Sequence, residues 1–225
     1  MSGAPHPEDQ LYWQSPDEDE AMQDEHAFVW RAMLNTIDVG LAGNRVLDAG
    51  CNRGGFLRLL CRECQIASGH GYDPAPGAIA DARRLGGQCP LTFEVADTVP
   101  AGWADFDVAF SHEVLYLLRD LQTHAAGIHG ALRPGGVYFA VMGVHAGAPT
   151  MAEWHGRNAR RFELPRLYTL DEVIATFTAA GFEAAVARLK VGFIPVSDHA
   201  QSFPADMEYF YEHKVMLRFA KPAAG

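Results

Sequence analysis

The chain is poor in basic residues and has no long apolar run. It contains 18 lysines and arginines against 28 aspartates and glutamates, so its formal net charge is −10. Contacts with nucleic-acid phosphates or an anionic membrane need a basic face, so this balance argues against both as the main partner. The short basic run RNARR at residues 157–161 is the one candidate for a local phosphate-binding patch. No apolar stretch reaches the ~18 residues of a membrane-spanning helix.

Cysteine is also scarce, with four residues in the chain. The N-terminal segment is acidic and lacks the apolar core of a secretory signal, so we expect a cytoplasmic protein with reduced thiols. Cys61 and Cys64 form a C-x-x-C pair, but no second pair or histidine stands at zinc-ligand spacing. We therefore predict no metal site and assign the pair to packing within a helix.

The order of apolar patterns predicts one α/β domain behind a polar N-terminal segment. A chain of 225 residues suits a single domain of this kind. Residues 1–26 are polar and acidic, and a helical pattern begins at Asp24. We assign residues 1–40 to an N-terminal tail and lid helix. Residues 41–225 then form the single domain, with a loop-rich cap insert near 145–168.

Strands and helices alternate through this domain. The predicted strands are 46–49, 70–72, 91–95, 106–110, 137–142, 184–189 and 214–220. The predicted helices are 56–64, 76–85, 121–132 and one that Thr169 caps, with Glu172 completing a capping box. Strands separated by helices imply a doubly wound parallel sheet with helices on both faces. Ligands of such sheets bind outside the carboxyl ends of the strands.

The stretch RVLDAGCNRGGFLRLL, residues 45–60, places a glycine-rich turn between the first strand and a helix. Glycines let the backbone turn tightly, and free N–H groups at the helix start attract a carboxylate or phosphate. Asn52 occupies the position of the middle glycine in the dinucleotide fingerprint G-x-G-x-x-G, where a side chain obstructs a pyrophosphate. Asp48 favours a ligand with an ammonium group. The turn therefore suits an amino-acid nucleoside better than a dinucleotide.

This stretch resembles motif I of the class I S-adenosylmethionine-dependent methyltransferases, in its D-x-G-C-x-x-G form. The similarity covers residues 45–145, and Asn52 departs from the glycine that is commonest there. It implies S-adenosylmethionine as cofactor, a small-molecule methyl acceptor, and a Rossmann-like sheet of seven mostly parallel strands with the last antiparallel. By position, the residues around the methionine end of the cofactor are Asp48, Gly50, Cys51, Asn52 and Gly54.

Acidic residues follow the second and third strands. Asp73, next to Pro74, can accept both ribose hydroxyl protons, and its spacing of 73 − 48 = 25 from Asp48 is near the ~20 expected. Asp73 also suits the N-cap of the next helix, and both roles stay open. The family resemblance implies that Asp97, followed by Thr98, accepts a hydrogen bond from the adenine amino group.

The fourth strand leads into a further set of expected site residues. The resemblance implies that Ser111, His112, Glu113 and Tyr116 line the boundary between cofactor and substrate, with Ser111 on the cofactor side. Trp154 in the insert is a candidate for the opposite wall of the substrate pocket. The family's DNA-base N-methylases carry an Asp/Asn-Pro-Pro-aromatic motif at this place, and its absence here disfavours a nucleic-acid substrate.

An oxygen nucleophile usually needs a general base, whereas a nitrogen nucleophile can react without one. His145, His112 and Glu113 are the candidates, with His145 first because histidine titrates near neutrality. Each histidine can equally be a polar lining residue. Trp13, together with Tyr12, can approach the sulfonium through a cation–π contact or can pack at the sheet edge.

Two other functions fit parts of the sequence. An NAD(P)-dependent oxidoreductase would explain Asp73, but Asn52 obstructs the pyrophosphate and no Tyr-x-x-x-Lys pair is present. A non-catalytic S-adenosylmethionine-binding protein of the same fold would explain the loop equally well, because fold does not fix function. The sequence names neither the acceptor nor the oligomeric state.

Overall fold

The fold is seen in a computed structural model, which describes residues 16–160, 163–193 and 212–225. The strands are β1 Arg45–Ala49, β2 Ser68–Asp73, β3 Leu91–Val95, β4 Phe106–His112, β5 Leu132–Met142, β6 Glu183–Arg188 and β7 Val215–Ala220. The helices are α1 Pro16–Thr36, α2 Gly55–Cys64, α3 Pro76–Leu85, α4 Leu121–Ala131, α5 Pro149–Asn158 and α6 Leu170–Ala179, and a 3-10 turn covers Leu115–Leu117.

The strands form one seven-stranded sheet in the order β3-β2-β1-β4-β5-β7-β6. Neighbours among β1 to β5 run parallel, whereas β7 is antiparallel to both β5 and β6. This confirms the doubly wound, mostly parallel sheet with an antiparallel last strand. The strand order reverses between β1 and β4, so the crevice for a ligand opens at their carboxyl ends.

Each face of the sheet carries its own apolar core. Helices α1, α2 and α3 cover one face. There the ring of Phe56 lies 5.9 Å from that of Trp30 and 5.1 Å from that of Phe110, measured between centroids. Helices α4 and α6 cover the other, where Phe177 stacks on Phe219 at 4.1 Å. Because both faces of the sheet are covered at its centre, strands β4 and β5 are largely buried and apolar, whereas the edge strand β6 is exposed.

Two helices differ from the prediction. Helix α1 begins at Pro16, eight residues before the predicted Asp24 (24 − 16 = 8). Its acidic start looked like a tail, but proline suits the first helical turn and acidic residues complement the helix dipole there. The insert at 145–168 contains α5 rather than loop alone. The capping box that begins α6 is confirmed, because Thr169 and Glu172 each accept from the other's backbone N–H.

A disulfide joins Cys61 in α2 to Cys89 before β3, with the Cα atoms 6.2 Å apart. The prediction of four reduced thiols was therefore wrong for this pair. The partners are 28 residues apart, so no local spacing in the sequence announces the bond. Cys51 and Cys64 are free thiols. No helix in the described ranges is long and apolar enough to cross a membrane.

Candidate cofactor and acceptor site

In the loop after β1, left-handed backbone recurs at every second residue, and the residue types at these positions tolerate it. Gly50, Asn52 and Gly54 have φ of 75°, 45° and 69°, so every second residue is left-handed. Asparagine is among the few side chains that tolerate this conformation. A Cβ at Gly50 would lie 2.5 Å from Val114, and one at Gly54 would lie 2.5 Å from the ring of Phe93. Asn52 therefore keeps the turn that glycine makes in the commonest motif.

Asp73, the last residue of β2, holds this loop through its carboxylate. One oxygen accepts from the backbone N–H of Asn52 at 2.9 Å, and the other accepts from the N–H of Ala75, just before α3, at 2.9 Å. The capping role is thus present in the structure. A carboxylate oxygen can accept more than one hydrogen bond, so the ribose contact stays a prediction. Pro74 beside it is exposed.

Asp48 is buried at the carboxyl end of β1, with 4% of its surface exposed. Burial, followed by the nearby Asp73 carboxylate, raises the pKa of Asp48 to about 8. A buried carboxyl group of this kind gains from a cationic partner. The same burial raises the pKa of the Cys51 thiol well above its ordinary value, so Cys51 stays protonated. The hydroxyl of Tyr72 is also buried and has no hydrogen-bond partner among the described residues.

These features fit the methionine and ribose ends of S-adenosylmethionine. Glycine at positions 50 and 54 lets the loop pass close to Val114 and Phe93, where a Cβ would clash. Asp48 lacks the solvent that would stabilise its charge, and the hydroxyl of Tyr72 has no hydrogen-bond partner among the described residues. Asp97 and Thr98 lie exposed just after β3, beside the end of β2. Trp13 and Tyr12 lie outside the described residues.

Ser111 is the last residue but one of β4 and is fully buried. Its hydroxyl lies 2.5 Å from the hydroxyl of Tyr138, which in turn lies 3.1 Å from Nε2 of His124. This network belongs to the face that α4 and α6 cover. It engages the Ser111 hydroxyl within the core and argues against a contact with the cofactor.

His112 and Glu113 lie in a cluster with two residues that the sequence did not single out. Nζ of Lys214 lies 2.9 Å from a carboxylate oxygen of Glu113, which also accepts from the N–H of Gly143 at 3.0 Å. The ring of His26, on α1, meets the ring of His112 edge to face, with centroids 4.9 Å apart. His26 and Lys214 are remote from β4 in the chain, so no spacing rule could have found them.

His145 is held by the backbone at both ring nitrogens. Nδ1 accepts from the N–H of Gly147 at 3.2 Å, so Nε2 carries the proton and donates to the carbonyl of His213 at 2.9 Å. No lone pair of the ring is left to receive a proton. This geometry argues against His145 as the general base and gives it a role in fixing the insert.

The two predicted substrate residues do meet. Tyr116 lies in the 3-10 turn after β4 and Trp154 lies on α5, and their rings make an edge-to-face contact at 6.1 Å. Tyr116 is buried and Trp154 half-buried. Within the described residues, no group of three or more histidine, cysteine or acidic side chains is arranged to hold a metal ion.

Comparison with known proteins shows the family to which this chain belongs. Residues 18–186 match a family model described as a methyltransferase domain, which is most of the chain. The chain therefore belongs to the methyltransferase-domain family, within the class I S-adenosylmethionine-dependent methyltransferases. The resemblance of the motif I loop is thereby confirmed, as is S-adenosylmethionine as the cofactor of the family. The family match favours this cofactor over the dinucleotide of the NAD(P)-dependent alternative.

Individual relatives are similar over part of their length. A tRNA U34 carboxymethyltransferase of Methylococcus capsulatus is 35% identical over 114 residues, which are 48% of this chain and 34% of that relative. The chain thus spans about a third of its length. A methyltransferase solved in complex with the Haloferax volcanii Trm112 activator has a TM-score of 0.78 at 23% identity, over 92% of this chain and 95% of that one.

A second solved structure carries the cofactor. Haemonchus contortus phosphoethanolamine N-methyltransferase 2, in complex with S-adenosyl-L-methionine, has a TM-score of 0.74 at 18% identity. The match covers 98% of this chain and 61% of that protein. At this identity the likeness shows a common fold and does not identify the methyl acceptor.

Proposed function

We propose that the protein transfers a methyl group from S-adenosylmethionine to the oxygen or nitrogen of a small-molecule acceptor. The observation that carries this proposal is the buried Asp48, whose pKa is raised to about 8 beside the glycine loop. Its buried carboxyl group is suited to a cationic partner. Asp73 and Asp97, at the ends of β2 and β3, are suited to the ribose and the adenine of a nucleoside. The net charge of −10 favours a small acceptor over a nucleic acid.

Residues at the ends of β1, β2 and β3 would each contact a different part of the cofactor. Asp48 would face its ammonium group, the backbone from Gly50 to Gly54 its carboxylate, Asp73 the ribose hydroxyls, and Asp97 the adenine amino group. The cofactor supplies a methyl group that its sulfonium already activates. The protein's contribution is then mainly to hold the acceptor atom close and aligned, which can supply much of a barrier reduction.

Thermal stabilisation tests this proposal. S-adenosylmethionine and S-adenosylhomocysteine should raise the melting temperature, and NAD(P) should not, because a ligand that binds only the native state stabilises it. Asp73→Asn should weaken the stabilisation. Glu153→Asn, an exposed acid paired with Arg157 on α5, is the control for loss of one charge. Stabilisation by NAD(P) alone would show that the cofactor is assigned wrongly.

An RNA acceptor is the second candidate, because the Methylococcus relative is named as a tRNA enzyme. The absence of a nucleic-acid partner therefore stays a prediction. Binding to total tRNA should be weak and should vanish at moderate salt if the acceptor is small, since few phosphates can be neutralised. Tight binding with a steep salt dependence, lost when the arginines of 157–161 are changed, would favour RNA instead.

A further inference from the structure

A polar cluster at the carboxyl edge of the sheet is left over once the cofactor residues are assigned. Its members are His26 on α1, His112 at the end of β4, Glu113 directly after it, and Lys214 directly before β7. Across β1 and β4, Asp48 pairs with Phe110. His112 lies two residues further along the same face, about 7 Å beyond Phe110. The cluster therefore lies next to the position of the expected ammonium group.

The ion pair in this cluster is built into the fold. The side chains of Lys214 and Glu113 are 4% and 15% exposed, and their charged atoms are 2.9 Å apart. Glu113 also receives the N–H of Gly143, and its own backbone has a φ of 56°. Left-handed backbone at a residue other than glycine concentrates at ligand sites, where the surrounding structure holds it in place.

The imidazole of His112 has unused hydrogen-bonding capacity. The residue as a whole is half-buried, but its Nε2 atom is shielded and has no hydrogen-bond partner among the described residues. Its ring meets that of His26 edge to face. Because shielded polar atoms are nearly always paired in native proteins, this nitrogen is suited to a group that a ligand brings.

The charges around the two imidazoles disfavour a further cation. Burial lowers the pKa of His26 to about 4, with Lys214 lowering it further and Glu113 opposing. Burial, then Lys214, then His26 hold the pKa of His112 well below its ordinary value. Both rings are therefore neutral near pH 7. A cationic ligand group placed beside them would meet the same desolvation and the same repulsion from Lys214, which Glu113 offsets only in part.

We propose that His26, His112, Glu113 and Lys214 form an acceptor recess, which receives the reacting group of the methyl acceptor as an uncharged hydroxyl or amine and excludes an ammonium group. This inference rests on the proposed function. A hydroxyl or an uncharged amine can both donate and accept, so it satisfies Nε2 of His112 in either tautomer, whereas an ammonium group only donates. The uncharged form also keeps the lone pair that methyl transfer requires. His112 is then a binding residue, and Lys214 sets the selectivity.

Benzyl alcohol and benzylamine are suitable probes, because they share a ring and differ in charge at neutral pH. Their binding to the whole protein is followed by NMR through the imidazole signals of His112, assigned by comparison with His112→Gln. Benzyl alcohol should shift these signals. Benzylamine should need at least about a tenfold higher concentration for the same shift, a difference in affinity equivalent to one pKa unit. Equal binding of the amine, or no shift with either probe, would overturn the proposal.

Variants at Lys214 test the source of the selectivity. Lys214→Met should bring the two probes to similar affinity and should raise the titration midpoints of both His26 and His112. Lys214→Arg keeps the cation and should keep the preference, so it decides the question if Lys214→Met does not fold. His129→Gln is the matched control for His112→Gln, because the ring of His129 packs on Phe182 at the other face of the sheet. A preference unchanged in Lys214→Met would contradict the assigned role.

The probe experiment needs no cofactor, so it separates the two proposals. Calorimetric titration with S-adenosylhomocysteine is done in parallel on the same samples. Failure of S-adenosylhomocysteine to bind, together with selective probe binding, would remove the methyltransferase proposal and leave the recess as a site for uncharged polar ligands. Cofactor binding without selective probe binding would remove the recess alone.

Discussion

Replacing Gly54 by alanine tests the loop on which the site depends. Gly54 precedes α2 with a φ of 69°, and a Cβ there would lie 2.5 and 2.6 Å from two ring atoms of Phe93 and 3.3 Å from Ala82. Left-handed backbone costs alanine about 1–2 kcal/mol, and overpacking typically costs about 1–3 kcal/mol. We expect Gly54→Ala to lower the free energy of unfolding by about 3 kcal/mol, or the melting temperature by about 6–12 °C.

Gly43→Ala separates the two contributions. Gly43 has nearly the same φ, 74°, but a Cβ there would meet nothing within 4 Å. It should therefore cost only the backbone strain of about 1–2 kcal/mol. Denaturant unfolding of both variants, alone and in a Phe93→Leu background, measures the difference. If Gly54→Ala were no more destabilising than Gly43→Ala, or if Phe93→Leu gave no relief, the close approach of ring and loop would be refuted.

Three other results are expected. Cys61→Ser should lower the free energy of unfolding by about 3–4 kcal/mol in denaturant titrations, because the disulfide closes a 28-residue separation, whereas Cys64→Ser should change it little. The raised pKa of Asp48, about 8, lets the folded protein keep a proton that the unfolded chain has lost above about pH 4, so Asp48 lowers stability without cofactor as pH rises, by up to about 1.4 kcal/mol per pH unit. The lowered pKa of His26, about 4, acts in the opposite direction below about pH 6.5, so the loss of stability should appear between about pH 6.5 and 8 and should be missing in Asp48→Asn. Ser111→Ala should cost about 1 kcal/mol through its lost bond to Tyr138 and leave calorimetric cofactor affinity unchanged; a large loss of affinity would restore Ser111 to the cofactor site.

Several features could be predicted from the sequence because they depend on chain order and local chemistry. Alternating apolar segments predicted the sheet, and β3 and α3 lie at the residues expected. In a parallel sheet, strand polarity brings every strand's carboxyl end to one edge. The placement of Asp48 and Asp73 at neighbouring strand ends followed from that alone. The tight turn after β1 was likewise indicated by its glycines, whereas the left-handed backbone of Asn52 was seen only in the structure.

Other features were decided by tertiary structure. Strand β4 continues two residues beyond the predicted end at Phe110, and because side chains alternate between faces, Ser111 points to the α4 side and His112 to the α1 side. No local pattern in the sequence shows which side of the sheet each of these two side chains faces. The contacts of Lys214 with Glu113 and of His26 with His112 join segments that only folding brings together. The sequence by itself determined where a cofactor-binding edge lies, and the tertiary structure decided which side chains face one another across it, because such contacts depend on the packing of distant elements rather than on neighbours in the chain.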